Sequence, residues 1–139
     1  MKVYVASKLN HEAMWKKLRE EWRTFGVEIL SRWLDTVVPD DVGTPIYFGK
    51  CWLENAQDVA HADALVVYKA DGDGTLRGAL VEVGMALSWE IPVIITGVGV
   101  GDVHSDFGSW QFHSLVRHVA DLDAVSALLR EWKTTGIPL

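Results

Sequence analysis

The sequence predicts a single α/β domain whose five parallel strands are flanked by helices on both faces. Short β-branched segments alternate with segments of helical periodicity along the chain, which is the pattern of a parallel sheet joined by crossover helices. Two strand segments, 64–68 and 91–96, are apolar at nearly every position, as strands covered on both faces are. A length of 139 residues suits one domain spanning 1–139.

The first part of the chain contains two predicted strands around one helix. Residues 2–6 are rich in β-branched and aromatic side chains and form the first strand. Residues 11–25 repeat large apolar side chains at helical spacing, with Asn10 available to cap the helix and Gly26 to end it. Residues 27–30 form the second strand.

The middle of the chain begins with an irregular stretch. Residues 36–50 contain two prolines and two glycines, so we predict a long loop of the kind that often covers a binding site. Residues 51–61 form the second helix and residues 64–68 the third strand. A glycine-rich turn at 71–75 then leads into a helix that ends near Trp89.

The last part of the chain supplies two more strands and a helix. Residues 91–96 form the fourth strand, and 97–109 are a second glycine-rich loop. Residues 115–119 form the fifth strand and 121–132 an amphipathic helix. Right-handed crossovers then give a doubly wound sheet, Rossmann-like in general and flavodoxin-like in its expected strand order 2-1-3-4-5.

Composition and charge narrow the functional classes. The net charge of -6 opposes binding of nucleic acid polymers, because proteins that bind them need a basic surface. The single cysteine, Cys51, cannot form an internal disulfide, and no apolar run approaches the length of a membrane span. Because the first residues have the pattern of a strand rather than of a secretory leader, we expect a cytoplasmic protein without membrane contact.

Glu82 is the clearest functional signal in the sequence. It is the one ionisable residue between Gly78 and Trp89, in a segment whose two helical faces are both apolar. An unpaired carboxylate in such surroundings would take up a proton, so we expect Glu82 to line a cleft or to have a partner. At the carboxyl edge of a parallel sheet, where ligands bind, such a carboxylate suits covalent attack on an anomeric carbon.

The turn before this helix, Asp71-Gly-Asp-Gly-Thr75, offers backbone N–H groups to an anion or a sugar hydroxyl. It matches neither the dinucleotide-binding G-x-G-x-x-G pattern nor a Walker loop. An ordinary tight turn in which Asp73 or Thr75 caps the helix explains it equally well. Arg77, just after the turn, can bind a 5'-phosphate or pair with Asp73.

Other catalytic patterns are missing from the sequence. His104 and His113 lie in separate segments, and no His-x-x-x-His or paired-cysteine spacing occurs. No Gly-x-Ser-x-Gly motif supplies a serine nucleophile. We therefore expect neither a metal nor another cofactor.

These features together resemble the nucleoside 2-deoxyribosyltransferase family, whose members include deoxynucleoside 5'-monophosphate N-glycosidases. The resemblance covers most of the chain. It rests on an opening strand Val3-Tyr-Val-Ala-Ser7, on Asp58 with Ala62-Asp-Ala-Leu-Val-Val67, and above all on Gly78-Ala-Leu-Val-Glu82-Val-Gly-Met-Ala86 followed by Ile91-Pro-Val-Ile94.

The resemblance implies cleavage or transfer of the N-glycosidic bond of a nucleoside or nucleoside 5'-monophosphate. Glu82 would be the nucleophile that forms a covalent glycosyl-enzyme, which another base or water then resolves. An aspartate in the helix before the third strand would assist it. Asp58 and Asn55 are both available for that position, and we predict Asp58 as the second catalytic residue.

The resemblance also implies a substrate site around the turn and nearby aromatic residues. Family members carry an acidic residue six positions before the nucleophile, where this chain has Leu76, so Asp71 or Asp73 would substitute for it. Members form dimers or larger assemblies in which a neighbour closes the site, so we expect a homo-oligomer. The candidate substrate-binding residues are Tyr4, Ser7, Trp33, Asp71, Asp73, Gly74, Arg77, Gly78, Trp110 and His113.

Two alternative functions stay open at this point. One is a nucleotide-binding module without catalysis. The other is an NAD glycohydrolase like the Toll/interleukin receptor domains, which resemble this architecture and present a glutamate towards NAD.

Overall fold

The computed structural model describes residues 1–36 and 44–138. Five strands form one sheet: β1 (Lys2–Ala6), β2 (Glu28–Ile29), β3 (Ala64–Lys69), β4 (Val93–Gly97) and β5 (Val116–His118). The helices are α1 (Glu12–Arg23), α2 (Pro45–Ala60), α3 (Arg77–Ser88) and α4 (Leu122–Thr135), and short 3₁₀ turns lie at Leu9–His11, Arg32–Asp35 and Ser109–Phe112. None of the described helices is long and apolar enough to cross a membrane.

All strand pairings are parallel, and the strands lie in the order β2-β1-β3-β4-β5. The predicted α/β class, the five parallel strands and the order 2-1-3-4-5 are therefore confirmed. The chain passes from β1 outwards to β2 and then places β3 on the other side of β1, so the order reverses between β1 and β3. Doubly wound sheets bind ligands beyond the carboxyl ends of the strands at such a reversal.

Helices cover both faces of the sheet, and each face has its own apolar core. Side chains alternate between the faces along each strand. Leu65 and Val67 of β3 therefore join the core beneath α2 and α3. Val66 points the other way and joins the core beneath α1 and α4, which contains Trp22 and Leu129.

The predicted loop at 36–50 is wrong over its last six residues. Helix α2 begins at Pro45, and the Thr44 side chain accepts a hydrogen bond of 3.2 Å from the N–H of Tyr47. Proline is favoured at the first helical position, where its missing N–H costs nothing, so Pro45 starts the helix rather than interrupting it. Residues 37–43 of the predicted loop lie outside the described part of the chain.

Two of the predicted helix caps are also wrong. Asn10 does not cap α1, because it lies inside the 3₁₀ turn Leu9–His11 and no side chain caps the helix. Neither Asp73 nor Thr75 caps α3, whose N-cap residue is Leu76. Gly26 does follow the end of α1 with a φ of +82°, a conformation that glycine adopts without strain.

Candidate active site

Glu82 lies on the buried side of α3. Ala79, Val83 and Ala86 hold this helix against the sheet, and Glu82 is buried among them with 6% of its surface exposed. Removal of a carboxylate from water disfavours its charged form. Burial accordingly raises the pKa of Glu82 from its ordinary value of 4.5 to about 8.

Tyr4 is the hydrogen-bond partner of Glu82. Tyr4 lies in β1 and is completely buried, and its hydroxyl donates a hydrogen bond to Oε2 of Glu82. A hydrogen bond to the charged form opposes the effect of burial on the pKa. Because the pKa is raised, burial is the larger of the two effects.

Glu82 opens onto a cleft of about 520 Å³. The cleft lies between α2 and α3, at the carboxyl end of β1. This volume lies within the range of pockets that bind small molecules. Its lining residues are Ser7, Lys8, Leu9, Glu12, Trp33, Thr36, Tyr47, Phe48, Cys51, Trp52, Glu54, Asn55, Leu76, Arg77, Gly78, Ala79 and Glu82.

Six of the predicted site residues come together at this cleft: Tyr4, Ser7, Trp33, Arg77, Gly78 and Glu82. The hydroxyl of Ser7 accepts a hydrogen bond of 2.8 Å from the indole N–H of Trp15. The indole N–H of Trp33 donates a 2.9 Å hydrogen bond to the carbonyl of Val5. These bonds fix both side chains at the cleft.

Asp58, predicted as the second catalytic residue, does not line the cleft. Its carboxylate accepts hydrogen bonds of 2.9 Å from both the backbone N–H and Nε of Arg32. Asn55, one turn earlier on α2, does line the cleft with Glu82. Of the two candidates, Asn55 therefore faces the cleft, and Asp58 binds Arg32.

The predicted residues of the glycine-rich turn are also placed elsewhere. Asp71 lines a separate cavity of about 490 Å³ near the start of α4. The Asp73 carboxylate is bound by His11, so Arg77 does not pair with it. Gly74 is exposed, with a φ of +67°. No residue of the turn 71–75 lines the cleft, but the three residues that follow the turn, Leu76, Arg77 and Gly78, do.

Trp110 and His113 do not line the cleft either. Trp110 packs edge-on against the ring of Phe107, with 5.7 Å between the ring centroids. His113 is exposed, and its Nδ1 accepts a 3.1 Å hydrogen bond from the N–H of Leu115. Both side chains therefore serve the structure of the segment before β5.

The sequence interpretation missed most of the α2 side of the cleft. Phe48, Cys51, Trp52 and Asn55 recur at intervals of three and four residues, which places them on one face of a helix. That periodicity was the available signal, but a loop was predicted up to residue 50. The Trp52 ring packs close to Gly78, 3.6 Å from the position that a Cβ would take on that glycine.

The charges around the cleft are mixed. Lys8 and Arg77 contribute cations, and Glu12 and Glu54 contribute carboxylates. Glu12 is bound by Lys16 at 2.5 Å. Within residues 1–36 and 44–138, neither Lys8 nor Arg77 forms an ion pair, and the same residues contain no group of three or more metal-ligating side chains.

Two solved structures are similar to this chain over most of their length. A 2-deoxyribosyltransferase from Bacillus psychrosaccharolyticus is 17% identical, with a TM-score of 0.66, over 91% of this chain and 90% of its own. A CMP N-glycosidase from Clostridium botulinum is 12% identical, with a TM-score of 0.59, over 95% of this chain and 99% of its own. No protein-family model and no curated protein matches the chain. The comparisons support the predicted resemblance to nucleoside 2-deoxyribosyltransferases and confirm the fold that it implies.

Proposed function

We propose that this chain cleaves or transfers the N-glycosidic bond of a nucleoside or nucleoside 5'-monophosphate, with Glu82 as the nucleophile. The observation that carries the proposal is the position of Glu82, a buried carboxylate that opens onto a cleft and is oriented by the Tyr4 hydroxyl. The two similar structures, a 2-deoxyribosyltransferase and a CMP N-glycosidase, support the same class of reaction.

In the proposed reaction, one carboxylate oxygen of Glu82 forms a bond to C1' while the bond between C1' and the base nitrogen breaks. The base leaves with the electron pair of that bond and takes up a proton from solvent. Water or a second base then attacks C1', gives up a proton to solvent, breaks the glycosyl ester and returns Glu82 as a carboxylate. Because Tyr4 holds Oε2, Oε1 is the oxygen that attacks.

The cleft also offers groups for the rest of the substrate. The flat side chains of Trp33 and Trp52 line it and suit stacking against a base. Lys8 and Arg77 lie on its rim, and neither forms an ion pair within 4.0 Å among the described residues, although Lys8 attracts the Asp73 carboxylate at longer range. A 5'-phosphate would bind both cations through charge-assisted hydrogen bonds, so we propose that 5'-monophosphates are preferred over nucleosides.

A non-catalytic nucleotide-binding module is the second candidate, and the pKa of Glu82 favours it. With a pKa of about 8, most Glu82 side chains are protonated at pH 7 in the free protein. A neutral carboxyl group can donate a hydrogen bond to a base but is a poor nucleophile. This candidate predicts nucleotide binding without turnover.

We also propose that the chain forms a homo-oligomer, a dimer or larger. Four large apolar side chains on α2 and α3 are exposed in the single chain, Ile46, Phe48, Leu53 and Val81, and Trp89 just after α3 is exposed as well. A second copy that covers them would remove apolar surface from water. Light scattering at micromolar concentration tests this, and a monomer across that range contradicts it.

The decisive experiment is incubation of the protein with nucleosides, nucleoside 5'-monophosphates and NAD, with and without an acceptor base, from pH 6 to pH 9. Chromatography of the released base measures cleavage, and exchange of a labelled base measures transfer. We expect release or exchange from at least one nucleoside or 5'-monophosphate. Binding measured by calorimetry without turnover would favour the binding module, and consumption of NAD alone would reject both candidates.

A further inference from the structure

His11 and Asp73 connect two segments that lie far apart in the sequence. His11 ends the 3₁₀ turn before α1, and Asp73 lies in the turn between β3 and α3. The Nε2 atom of His11 is 2.9 Å from Oδ1 and 2.8 Å from Oδ2 of Asp73. The two side chains are 16% and 4% exposed, so this contact is largely shielded from water.

Each partner is also fixed by its own surroundings. The Asp73 carboxylate accepts a 2.7 Å hydrogen bond from the N–H of Ala70. The His11 ring packs edge-on against Tyr68, with 5.1 Å between the ring centroids. The pair therefore attaches the start of α1 to the carboxyl end of β3 and to the turn that follows it.

The turn depends on Asp73 for its shape. Gly72 and Gly74, on either side of Asp73, both have positive φ values and are exposed. Glycine in this conformation keeps a wide choice of backbone angles, so the glycines themselves do little to hold the turn. The side chain of Asp73 is what anchors it.

Both connected segments contribute residues to the rim of the cleft. Lys8, Leu9 and Glu12 reach the cleft from the segment that contains His11, and Leu76 and Arg77 reach it from the end of the Asp73 turn. We propose that His11 and Asp73 are a positioning pair that holds these two parts of the rim at the separation a nucleotide requires. This inference rests on the proposed function, because it names what sets the affinity of that same cleft.

The physical reason is the cost of breaking the pair. An ionised carboxylate that is nearly buried needs hydrogen bonds to replace the water it has lost. Without His11, the Asp73 carboxylate keeps one hydrogen bond, from Ala70, and the longer-range attraction of Lys8. It would then turn towards solvent, and the turn and Arg77 would move with it.

Hydrogen–deuterium exchange tests the connection itself. In His11→Ala, amide exchange in residues 70–76 is expected to rise at least about fivefold, because a local opening becomes easier. In Asp73→Asn, the same rise is expected in residues 8–12. The control is His61→Ala, which removes an exposed imidazole at the end of α2 and should leave both segments unchanged. Equal exchange in His11→Ala and wild type overturns the inference.

Steady-state kinetics tests the consequence for the site. His11→Ala should raise KM for the best nucleotide about fivefold or more and leave kcat within about twofold, since the rim binds the substrate and Glu82 performs the reaction. His11→Gln, which keeps a neutral donor, should restore part of the affinity. Loss of kcat at constant KM would instead indicate a loss of folded protein and overturn the positioning role.

The two proposals fail in different ways. Wild-type protein that releases no base from any nucleotide rejects the proposed reaction. In that case calorimetry is used in place of KM to test the positioning pair. It measures the affinity of the same variants for a deoxynucleoside 5'-monophosphate. Faster exchange in the turn without any change in nucleotide affinity overturns the positioning role and leaves the reaction unaffected.

Discussion

The Tyr4 hydroxyl donates a hydrogen bond to the Glu82 carboxylate across 78 residues of sequence, and both side chains are buried. The bond favours the ionised form of Glu82, and burial favours the neutral form. Burial raises the pKa of Glu82 to about 8. The proposed nucleophile must be ionised, so the fraction of active protein depends on pH near neutrality.

Tyr4→Phe is expected to move the pH dependence of the reaction. In wild type, kcat/KM should rise with pH and level off above about 8, because the ionised fraction of Glu82 rises. Loss of the hydroxyl removes a hydrogen bond to a charged group and raises the pKa of Glu82 further, which lowers kcat/KM at pH 7 about tenfold. The profile of kcat/KM from pH 6 to pH 10 measures both effects.

Tyr68→Phe is the matched control, since Tyr68 lies in β3 and lines the other cavity. Its profile should coincide with that of wild type. A Tyr4→Phe profile that also coincides with wild type would show that this hydrogen bond does not govern the charge of Glu82.

Glu82→Gln is expected to abolish turnover while the protein stays folded. Glutamine has nearly the same shape but cannot form the glycosyl ester, so kcat should fall by at least about 10³-fold. Circular dichroism checks the fold, and Glu131→Gln on the exposed face of α4 is the control. Activity within about tenfold of wild type would remove Glu82 from the mechanism.

The same variant should be more stable than wild type in mildly alkaline solution. The pKa of Glu82 rises on folding from 4.5 to about 8, so the folded state binds more protons between these values. The contribution of Glu82 protonation to the stability of the folded state is complete below about pH 4.5 and is lost as pH rises through about 8. Glu82→Gln avoids that loss, and chemical unfolding at pH 9 should show a gain on the order of 2 to 5 kcal/mol. At pH 4 the gain should vanish.

The fold was predictable because its signals are local. The apolar character of β3 and β4 and the alternation with helices identify a parallel sheet from short stretches of sequence. The start of α2 and the caps of α1 and α3 were missed. Pro45 and Gly49 are residue types that are common in loops. The hydrogen bond by which Thr44 caps the helix is visible only in the folded chain.

The site was predictable only where one residue carried the signal. Glu82 stands out as a carboxylate in an apolar helix, and the structure places it on the cleft. The positions of the other residues at the cleft depend on contacts between segments that are distant in the sequence. Asp58 and Asn55 are three residues apart, and which of them faces the cleft is decided by the rotation of α2 and by Arg32. No local pattern records that choice.

Asn55 and Asp58 should therefore respond differently to substitution. Asn55→Ala removes an amide from the cleft and should lower kcat/KM about tenfold or more, with little change in stability. Asp58→Asn weakens the bonds to Arg32 and should lower the free energy of unfolding by about 1 to 3 kcal/mol. Kinetics and chemical unfolding of both variants measure the difference. The opposite pattern would return Asp58 to the catalytic site.

Arg77 and Lys8 should decide between nucleosides and nucleotides. Both lie on the cleft and neither forms an ion pair within 4.0 Å among the described residues, so a 5'-phosphate would meet two cations that are not held in contact by a carboxylate. Arg77→Met and Lys8→Met should each raise KM for a 5'-monophosphate about tenfold, the effect of losing a charge-assisted hydrogen bond. KM for the matching nucleoside should stay the same, because it has no phosphate to bind. Lys17→Met, which removes an exposed cation from α1 outside the cleft, controls for net charge. Equal effects on nucleoside and 5'-monophosphate would mean that these cations shape the cleft rather than bind phosphate.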